Sequence, residues 1–524
     1  MKKNNKIFGL IACSAVLAGA VSLGAANVNV APASAEETPV TFEVKKSAQV
    51  KYGEEGGIRF AATVSADYLA TLGTTVKLVS SIDKAGNTDA GEAKTKEWIV
   101  KGEGSTYVAP YATNTYYHAI DFSEPELETV LKQAAAVELQ ATMWLESDGE
   151  KVAGSEQTVT RSMRAVANAV YDRVSADNQT ELGKYFGERK TAKAAYKEVA
   201  DDNAWVIDGG VVATAVYNGA AATGADLTVG ETAEGSYALF DAEYNVYNVP
   251  SVTYVTKTLA ESDDLSVLDL STENLNGEKT LTGYYCLVKD ITSTTPLTHA
   301  AYATRSGTKV TKNDDVGFSG TLEGNGHTIS YTFKEFGLFG NILGENALIQ
   351  NVNFVATRDT SIKAVNVIIG ALAYDGFDGE IKNVYAKIID DSNKTYRNAS
   401  LIGARRNTVA ELGITLTDLI VETTGTYMDT CRGGIIFDTD AARNNGKALK
   451  DRNVYVISAS QYMAKWDTTT ATKFCYANND TYSGTNVVKY LYVNRYDNGV
   501  ALYGAVTKVG NWAISADGSI AWEA

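Results

Sequence analysis

Apolar and polar residues alternate along residues 38–158, and this period of two predicts β-strands. In the stretch Gly57–Val64, the apolar residues that would share one face are Ile58, Phe60, Ala62 and Val64. Arg59 falls on the opposite face, where it would point to solvent or pair with an acid. A second strand is predicted over Val137–Leu145, ahead of a turn at Ser147-Asp148-Gly149.

Helical spacing interrupts this pattern at three places. Ser123 is placed to cap a helix, with Pro125 in its first turn and Glu126 completing a capping box. A second helix is predicted over 159–174, with the apolar face Met163, Val166, Ala167, Val170 and Val174. A third is predicted over 178–201, with the apolar positions Leu182, Tyr185, Phe186, Ala195 and Val199. Residues 36–204 are therefore predicted to form a β-sandwich-like module with C-terminal helices.

In residues 205–281 the helical pattern stops. Strand-like pieces such as Val211–Tyr217 and Val252–Val255 alternate there with Gly, Asn and Asp turns. This stretch is predicted to be a β-rich spacer or the N-terminal cap of the region that follows.

Two short motifs then recur together. An apolar-apolar-Gly unit occurs at Leu338-Phe339-Gly340, Ile368-Ile369-Gly370 and Leu401-Ile402-Gly403, spaced 30 and 33 residues apart, with a looser copy at Gly434-Ile435-Ile436. A second unit, spaced by 32, 35 and 35 residues, occurs at Asn351-Val352, Asn383-Val384, Asp418-Leu419 and Asn453-Val454. Each copy contains a short alternating strand, and these strands are Ile349–Ala356, Ile381–Ile388 and Leu416–Glu422.

A repeat of this length with short strands predicts a parallel β-helix over residues 282–460. Stacked coils would place their apolar positions in one interior column, and Asn or Asp at a fixed slot would stack and satisfy turn backbone groups. Residues 461–524, which contain Trp466, Trp512 and Trp522, are predicted to form a C-terminal β cap. The predicted fold class is mainly β and multidomain.

Two regions resemble known families. Tyr284–Ile291, Phe318–Ile329 and Gly337–Gly340 resemble the start of GLUG-type right-handed parallel β-helix regions of bacterial surface proteins. Gly57–Phe60 and Arg161–Arg164 are similar to a module that recurs in secreted and surface proteins of gut Firmicutes. The first resemblance implies an adhesin-like or binding role in a Gram-positive bacterium, and the second implies no particular activity.

The N-terminus has the features of a signal peptide over residues 1–35. It combines a cationic start, the apolar stretch Ile7–Leu23 and the cleavage pattern Ala33-Ser34-Ala35. Two alternatives stay open: a lipoprotein signal, because Leu10-Ile11-Ala12-Cys13 fits a lipobox, and an uncleaved membrane anchor. The pattern predicts a secreted or cell-surface protein whose mature chain has no membrane span.

The net charge argues against nucleic acid as a partner, and the cysteine spacing argues against a zinc site. The 47 basic and 63 acidic residues give a net charge of −16, which disfavours nucleic acid as a partner. The cysteines that follow the signal peptide are Cys286, Cys431 and Cys475, and none belongs to a C-x-x-C pair that would favour zinc. A Cys431–Cys475 disulfide and three buried thiols both remain open.

The sequence assigns no catalytic, cofactor-binding or metal-ligating residue. Because some secreted β-helix proteins are polygalacturonase-like hydrolases, the motifs of that family are relevant here. Asp314-Asp315 and Gly326-His327-Thr328 partly match two of them, and the remaining motifs are absent from the sequence. Asp390-Asp391 and Arg405-Arg406 are the pairs that a pectate-lyase-like enzyme would recruit. Calcium is conceivable at Asp201-Asp202 or Asp314-Asp315, although no EF-hand or nonapeptide spacing supports it.

The 30 tyrosines favour a binding role, because tyrosine stacks on sugar rings while its hydroxyl stays in water. Tyrosine also suits half-buried sheet surfaces, so the same residues fit a purely structural role. The candidates are Tyr107, Tyr111, Tyr116, Tyr117, Tyr490, Tyr492, Tyr496 and Tyr503. The predicted function is binding of extracellular glycans or proteins through the β-helix. The alternatives are a β-helix lyase or glycosidase and a structural extracellular protein.

Overall fold

The computed structural model describes residues 42–52, 56–87, 93–108, 113–122, 128–192, 194–200, 205–207, 209–218, 232–233, 237–249, 252–307, 309–359, 361, 368–390, 399–405, 414–424, 435–440, 452–458, 488–492, 506–515 and 519–524. These residues are mainly β and form several sheets. They divide into two compact units. The first contains the described residues of Met1–Ala194, Ala213–Ala222 and Ala233–Val252, and the second those of Ala195–Val212, Thr223–Thr232 and Thr253–Ala524. The predicted signal peptide and the predicted cap at Ser123–Glu126 lie outside the described residues.

The elements up to residue 255 are mostly short strands. The strands are β1 (Phe42–Val44), β2 (Gln49–Lys51), β3 (Gly57–Ser65), β4 (Val76–Lys84), β5 (Lys94–Lys101), β6 (Thr113–Asp121), β7 (Glu138–Ser147), β8 (Glu150–Lys151), β9 (Gln157–Ser162), β10 (Arg189–Thr191), β11 (Ala195–Glu198), β12 (Trp205–Ile207), β13 (Val211–Asn218), β14 (Thr232–Ala233), β15 (Tyr237–Phe240), β16 (Val246–Val249) and β17 (Val252–Val255). The helices are α1 (Ala66–Ala70), α2 (Glu128–Ala136), α3 (Met163–Val170), the 3₁₀ helix Tyr171–Arg173 and α4 (Ala176–Gly183).

The elements after residue 255 are also mostly short strands. The strands are β18 (Lys257–Leu259), β19 (Thr280–Leu281), β20 (Tyr284–Leu287), β21 (Ile291–Ser293), β22 (Ala303–Ser306), β23 (Lys309–Lys312), β24 (Gly317–Phe318), β25 (Thr321–Glu323), β26 (Thr328–Phe333), β27 (Asn341–Ile342), β28 (Leu348–Arg358), β29 (Gly370–Gly376), β30 (Glu380–Ile389), β31 (Ser400–Arg405), β32 (Thr415–Thr423), β33 (Phe437–Asp440), β34 (Arg452–Ser458), β35 (Val488–Tyr492), β36 (Lys508–Val509), β37 (Trp512–Ile514) and β38 (Ile520–Trp522). Two short helices that the sequence pattern did not predict are the 3₁₀ helix Ser262–Leu268 and α5 (Thr272–Leu275).

The first unit begins with two antiparallel sheets that share one apolar core. In one sheet β3 pairs with β1, β2 and β6, and in the other β4 pairs with β5 and β7, which also pairs with β8 and β9. The predicted alternation of β3 is confirmed, because its four inward residues are fully buried: Ile58, Phe60, Ala62 and Val64. They pack in the same cluster as Leu78, Met143 and Leu145 of the second sheet. The predicted strand over 137–145 is confirmed as β7, and the turn after it places Asp148 and Gly149 at positive φ.

Two predicted helices are wrong over part of their length. Residues 157–162 form β9 along β7, so α3 begins only at Met163, where the Ser162 hydroxyl accepts a hydrogen bond from the Ala165 amide. The predicted helix over 178–201 ends at Gly183, and β10 and β11 occupy its second half. Pairing with strands distant in the sequence overrides the local helical spacing at both places.

Short strands continue through residues 205–255. In the first unit β16 pairs parallel with β10 and antiparallel with β15, which pairs antiparallel with β13. In the second unit β11 pairs antiparallel with β12. The strands predicted over 211–217 and 252–255 are confirmed as β13 and β17.

Two series of parallel strands run through the second unit. One series is β18, β20, β25, β28, β30, β32, β34 and β35, and the other is β19, β24, β27, β29, β31 and β33. From β19 to β34 the strands of the two series alternate along the chain, so each repeat contributes one strand to each sheet. The three strands predicted inside the repeats are confirmed as β28, β30 and β32, which pair in parallel.

The Asn-Val motif is the position at which successive copies align. Val352 pairs with Val384, Val384 with Leu419 and Leu419 with Val454. The four residues before them, Asn351, Asn383, Asp418 and Asn453, have φ between 51° and 56°, the left-handed conformation that Asn and Asp tolerate. The predicted stacking is confirmed, because Asn383 Nδ2 donates to Asn351 Oδ1 at 2.7 Å and Asn453 Nδ2 donates to Asp418 Oδ1 at 2.8 Å. We call these four residues the Asn ladder.

The apolar-apolar-Gly motif aligns differently from what its spacing suggested. Ile402 lies beside Ala373 rather than Ile369, because the register shifts between Gly370 and Ala373. Ile369 and Ile402 are both fully buried, so the motif marks interior residues without marking equivalent ones.

The C-terminal strands β36–β38 form an antiparallel sheet that we call the C-terminal hairpin. Its Val509, Trp512 and Ile514 pack against the outward side chains Tyr385, Ile420, Tyr455 and Ile457 of β30, β32 and β34. The rest of the predicted C-terminal cap, apart from β35 and Val506–Ser515 with Ser519–Ala524, lies outside the described residues.

The hairpin is attached to the Asn ladder at Asn383, the residue next to the ladder's one acid, Asp418. The Asn511 backbone amide donates to Asn383 Oδ1 at 2.7 Å, and Trp512 Nε1 donates to Asn383 O at 3.0 Å. The next residue of the ladder, Asp418, has no side-chain N–H to donate, so the hairpin supplies the donor that asparagine would supply. Gly510 allows this approach, because a Cβ there would lie 2.2 Å from Asn383 Oδ1.

We expect Asn383→Gly to lower the free energy of unfolding of the second unit by about 2–4 kcal/mol, because it removes bonds to Asn351 and Asn511 at a buried position. Glycine keeps the left-handed conformation available, so the loss isolates the side chain. The matched control is Asn453→Gly, which removes one bond at the exposed end of the ladder and should cost about 1 kcal/mol or less. Urea unfolding measures both. Equal losses would contradict the role of the ladder.

Candidate functional site

A group of aromatic and basic side chains lies where two edge strands of the first unit meet. In the part of the chain that the structure describes, β5 is an edge strand of one sheet and β6 is an edge strand of the other. Lys96 on β5 donates from Nζ to the Tyr117 carbonyl oxygen on β6 at 3.3 Å. We call the side chains around this contact the edge cluster, and they are Arg59, Lys96, Trp98, Tyr116, Tyr117 and His118.

The alternation of β6 divides its residues between the core and the surface. Tyr116 and His118 point inward and are buried, at 6% exposed each, whereas Tyr117 between them is 39% exposed. Trp98 on β5 packs against both inward rings, with centroid distances of 5.7 Å to Tyr116 and 6.4 Å to His118. Trp98 is itself half-buried, so its indole joins the core to the surface.

Each of the two more accessible rings has a cation beside it. The Arg59 guanidinium lies 4.9 Å from the centroid of Tyr117, and Arg59 Nε donates to Gln49 Oε1 at 2.9 Å. Lys96 Nζ lies 5.0 Å from the centroid of Trp98. Arg59 therefore lies on the outer face, as predicted, and contacts an amide and an aromatic ring there. Cations over aromatic faces contribute about 0.5–1 kcal/mol at exposed sites, which holds the rings in place.

The buried part of the cluster is polar but uncharged. His118 Nδ1 lies 2.9 Å from the Ser80 hydroxyl, and burial, helped by the charge of Lys96, lowers the His118 pKa to about 4. The Tyr116 hydroxyl lies close to Thr106 but makes no hydrogen bond of normal geometry, and Asn114 Nδ2 is likewise buried without one. This edge therefore has hydrogen-bonding capacity that the described contacts leave unused.

The predicted aromatic candidates fall into three groups. Tyr117 is exposed in the edge cluster, Tyr116 is buried behind it, and Tyr107 is partly buried and packs on the core of the same unit. Tyr490 and Tyr492 belong to β35, of which only the backbone is described. Tyr111, Tyr496 and Tyr503 lie outside the described residues. The structure thus brings three of the described candidates together on the first unit, because Tyr107 lies near Tyr116, which is next to Tyr117.

The predicted acidic candidates do not form one site. Asp314 lies beside Lys312 at 3.3 Å, Asp315 pairs with Lys279 at 2.9 Å, and Asp390 pairs with Arg358 at 2.9 Å. The Asp390–Arg358 pair is almost fully buried, and Asp390 also accepts the Ala399 amide at 2.9 Å, so it acts as an internal structural pair. Asp201, Asp202, Asp391 and Arg406 lie outside the described residues, and Arg405 is described only by its backbone in β31.

The other two histidines have structural surroundings. His299 is fully buried, accepts the Leu270 amide at Nδ1 at 3.0 Å, and has its Nε2 3.2 Å from the Gly337 carbonyl; burial lowers its pKa. His327 lies in a turn, 3.3 Å from Asp290. Cys286 is a buried thiol whose sulfur accepts a hydrogen bond from Asn325 at 3.2 Å, while Cys431 and Cys475 lie outside the described residues.

Sequence reasoning did not identify Trp98 and Lys96 as partners of the tyrosines. They stand two residues apart on β5, which places both on one face of a strand, and that was the available signal. Their proximity to β6 depends on how two sheets meet, which local spacing does not show. In the part of the chain that the structure describes, no three His, Cys, Asp or Glu side chains converge as a metal site, and no helix is long and apolar enough to cross a membrane.

We expect the buried, neutral state of His118 to make stability depend on pH. In the unfolded chain His118 takes up a proton near its ordinary pKa of 6.5, whereas in the fold it does so only near 4. The unfolded state binds more protons in this window, so the free energy of unfolding should fall as the pH drops from 6.5 to 4, by up to about 3 kcal/mol.

Urea unfolding across this pH range measures the effect. His118→Gln should have a flatter profile than the parent chain, because glutamine does not titrate. An unchanged profile for His118→Gln would show that another group is responsible.

The chain has no match among known proteins that could assign a role to this site. No family model, no curated protein and no solved structure matches the chain. The aromatic rings, the cations beside them and the unused hydrogen-bonding groups are therefore the observations from which a function is proposed.

Proposed function

We propose that this chain is an exported, modular, mainly β protein that binds an extracellular glycan, and that the edge cluster is the binding site. In this proposal the second unit is a right-handed parallel β-helix that presents the first unit at a cell surface or in the extracellular medium. The signal-peptide features of residues 1–35 support export.

The two parallel series support the β-helix. Each passage of the chain contributes one strand to each sheet, apolar side chains such as Phe354, Val384 and Leu419 fill the interior, and the Asn ladder repeats at the same turn. Parallel strands joined by a crossover are right-handed in about 98% of cases, which supports the handedness.

The observation that carries the binding proposal is the pair of accessible rings with cations beside them. Tyr117 and Trp98 offer flat apolar surfaces of the kind that stack on the C–H faces of sugar rings. Arg59 and Lys96 place positive charge within about 5 Å of those rings, and a guanidinium suits a carboxylate particularly well. An acidic glycan, such as a uronate or sialate polymer, therefore fits the site better than a neutral one.

The chain offers a matched pair of variants for a direct test. Trp98→Ala and Tyr117→Ala should each weaken binding of acidic glycans about tenfold or more, since one stacked ring is worth about 1.4 kcal/mol or more. The control is Trp144→Ala, which removes another half-buried tryptophan that also has a lysine nearby, Lys151 at 4.8 Å, but lies outside the edge cluster.

Binding would be measured by titration calorimetry of the purified chain with neutral and acidic glycans. Arg59→Gln and Lys96→Gln should reduce the preference for acidic glycans while leaving binding of neutral glycans nearly unchanged. Equal losses for Trp98→Ala and Trp144→Ala would contradict the location, and no binding to any glycan would contradict the function. Release of unsaturated or reducing-end products in the same mixtures would replace binding by the enzymatic alternative.

A further inference from the structure

Two basic residues of the hairpin formed by β22 and β23 pair with buried acids of the second unit. Arg305 on β22 pairs with Glu335, and Lys312 on β23 lies with its Nζ 2.6 Å from Oδ2 of Asp375 on β29. Both acids are buried, at 1% and 0% exposed. The two pairs look alike, but a lysine amine is a nucleophile and a guanidinium is not, so only the second pair can react.

Aromatic rings lie beside the Lys312–Asp375 pair. The centroid of the Tyr374 ring lies 5.5 Å from Lys312 Nζ. Tyr302 and Phe336 pack against Tyr374 at centroid distances of 6.5 and 5.4 Å. Tyr302 is 1% exposed, and burial together with Asp375 raises its pKa, so it is a proton donor at all ordinary pH values. Asp375 is thus shielded from water, whereas the Lys312 side chain is 16% exposed.

Two further polar groups contact the reacting atoms. The Tyr302 hydroxyl donates to Oδ2 of Asp375, and Asp314 Oδ1 lies 3.3 Å from Lys312 Nζ. With Oδ2 at 2.6 Å from Nζ, the Asp375 carboxyl carbon lies about 3.5 Å from the nitrogen, within the range of a near-attack arrangement.

We propose that Lys312 and Asp375 join in an intramolecular amide, an isopeptide bond that links β23 to β29. The Lys312 ammonium passes one proton to the Asp375 carboxylate across their 2.6 Å contact, so that a free amine faces a neutral carboxyl group. The amine attacks the Asp375 carboxyl carbon, and Asp314 accepts a second proton from the nitrogen and returns it to the leaving oxygen. Tyr302 stabilises the negative charge that develops on the carboxyl oxygen. One carboxyl oxygen leaves as water with two of the three ammonium protons, the third stays on the amide nitrogen, and no oxidant or cofactor is consumed.

The bond has a clear structural consequence. It closes a loop of 63 residues and fixes a hairpin that is outside both parallel series to a strand inside one of them. Unlike an ion pair, it persists in denaturant, at high salt and at extreme pH. An exported chain gains from it a covalent tie that does not depend on the redox state of its surroundings.

Peptide mass mapping of the purified, folded, full chain tests the proposal. We expect a branched peptide joining the segments around Lys312 and Asp375, about 18 Da lighter than the sum of its two linear parts because one water is lost. Lys312→Arg and Asp375→Ala should abolish the branched peptide, and Asp375→Asn should give a loss of about 17 Da, since ammonia would leave in place of water. Recovery of both linear peptides unmodified from the folded parent chain would overturn the proposal.

Two variants separate the chemistry from the docking of the hairpin. Glu335→Gln changes the other ion pair of the same hairpin and should still show the branched peptide. Asp314→Asn should slow its formation after refolding while leaving the loss of about 18 Da relative to the variant's own linear peptides unchanged. An unchanged rate would overturn the role of Asp314 as proton acceptor, and loss of the branched peptide in Glu335→Gln would overturn the claim that the second pair reacts independently.

Discussion

The left-handed turns of the Asn ladder are the constraint on which the second unit depends. A side chain at φ near 50° costs about 1–2 kcal/mol for most residues and less for Asn and Asp, so the turn is tied to those residue types. Because successive residues of a strand face opposite sides, a slip of one residue would exchange the buried and exposed faces of the strand that slips. The ladder prevents that slip, and Val352, Val384, Leu419 and Val454 stay in one interior column as a result.

The single acid of the ladder connects this local order to the C-terminus. Each strand of a parallel series contacts only its neighbours, so the stability of the series is a sum of local terms with few ties across several strands. At Asp418 the chain of amide donors stops, and Asn511 enters from the C-terminal hairpin to donate to Asn383 instead. Trp512 covers the same position and packs on the outward side chains of β30, β32 and β34. A gap in the repeat thus becomes the attachment point for a segment that spans three of the parallel strands.

The limits of sequence interpretation follow the same physics. The Asn-Val motif predicted strand, register and stacking correctly, because left-handed turns restrict residue type and so leave a visible mark in the sequence. The helix predicted from residue 159 was wrong at Val159–Ser162, because those residues pair with β7, and helical spacing of apolar residues does not reveal a distant partner. The edge cluster was half predicted: Tyr117 was named as a ring that could stack, but Lys96 and Trp98 lie on β5, which belongs to the other sheet and does not pair with β6. Asp314 was named as an enzyme candidate, whereas its Lys312 partner and the buried Asp375 depend on how a hairpin meets a parallel strand.

The charges of the chain show how an acidic protein can offer a basic site. Net charge governs encounter at long range, but in physiological salt a charge is screened beyond about 8 Å, so contact depends on the groups within that distance. Asp315 and Asp390 are paired with Lys279 and Arg358. In the edge cluster the contacts that place Arg59 and Lys96 are made by rings, an amide and a backbone carbonyl, none of which neutralises a positive charge. A net charge of −16 and the binding of acidic glycans that we propose for the edge cluster are therefore compatible, because pairing and screening act locally while the sum is taken over the whole chain.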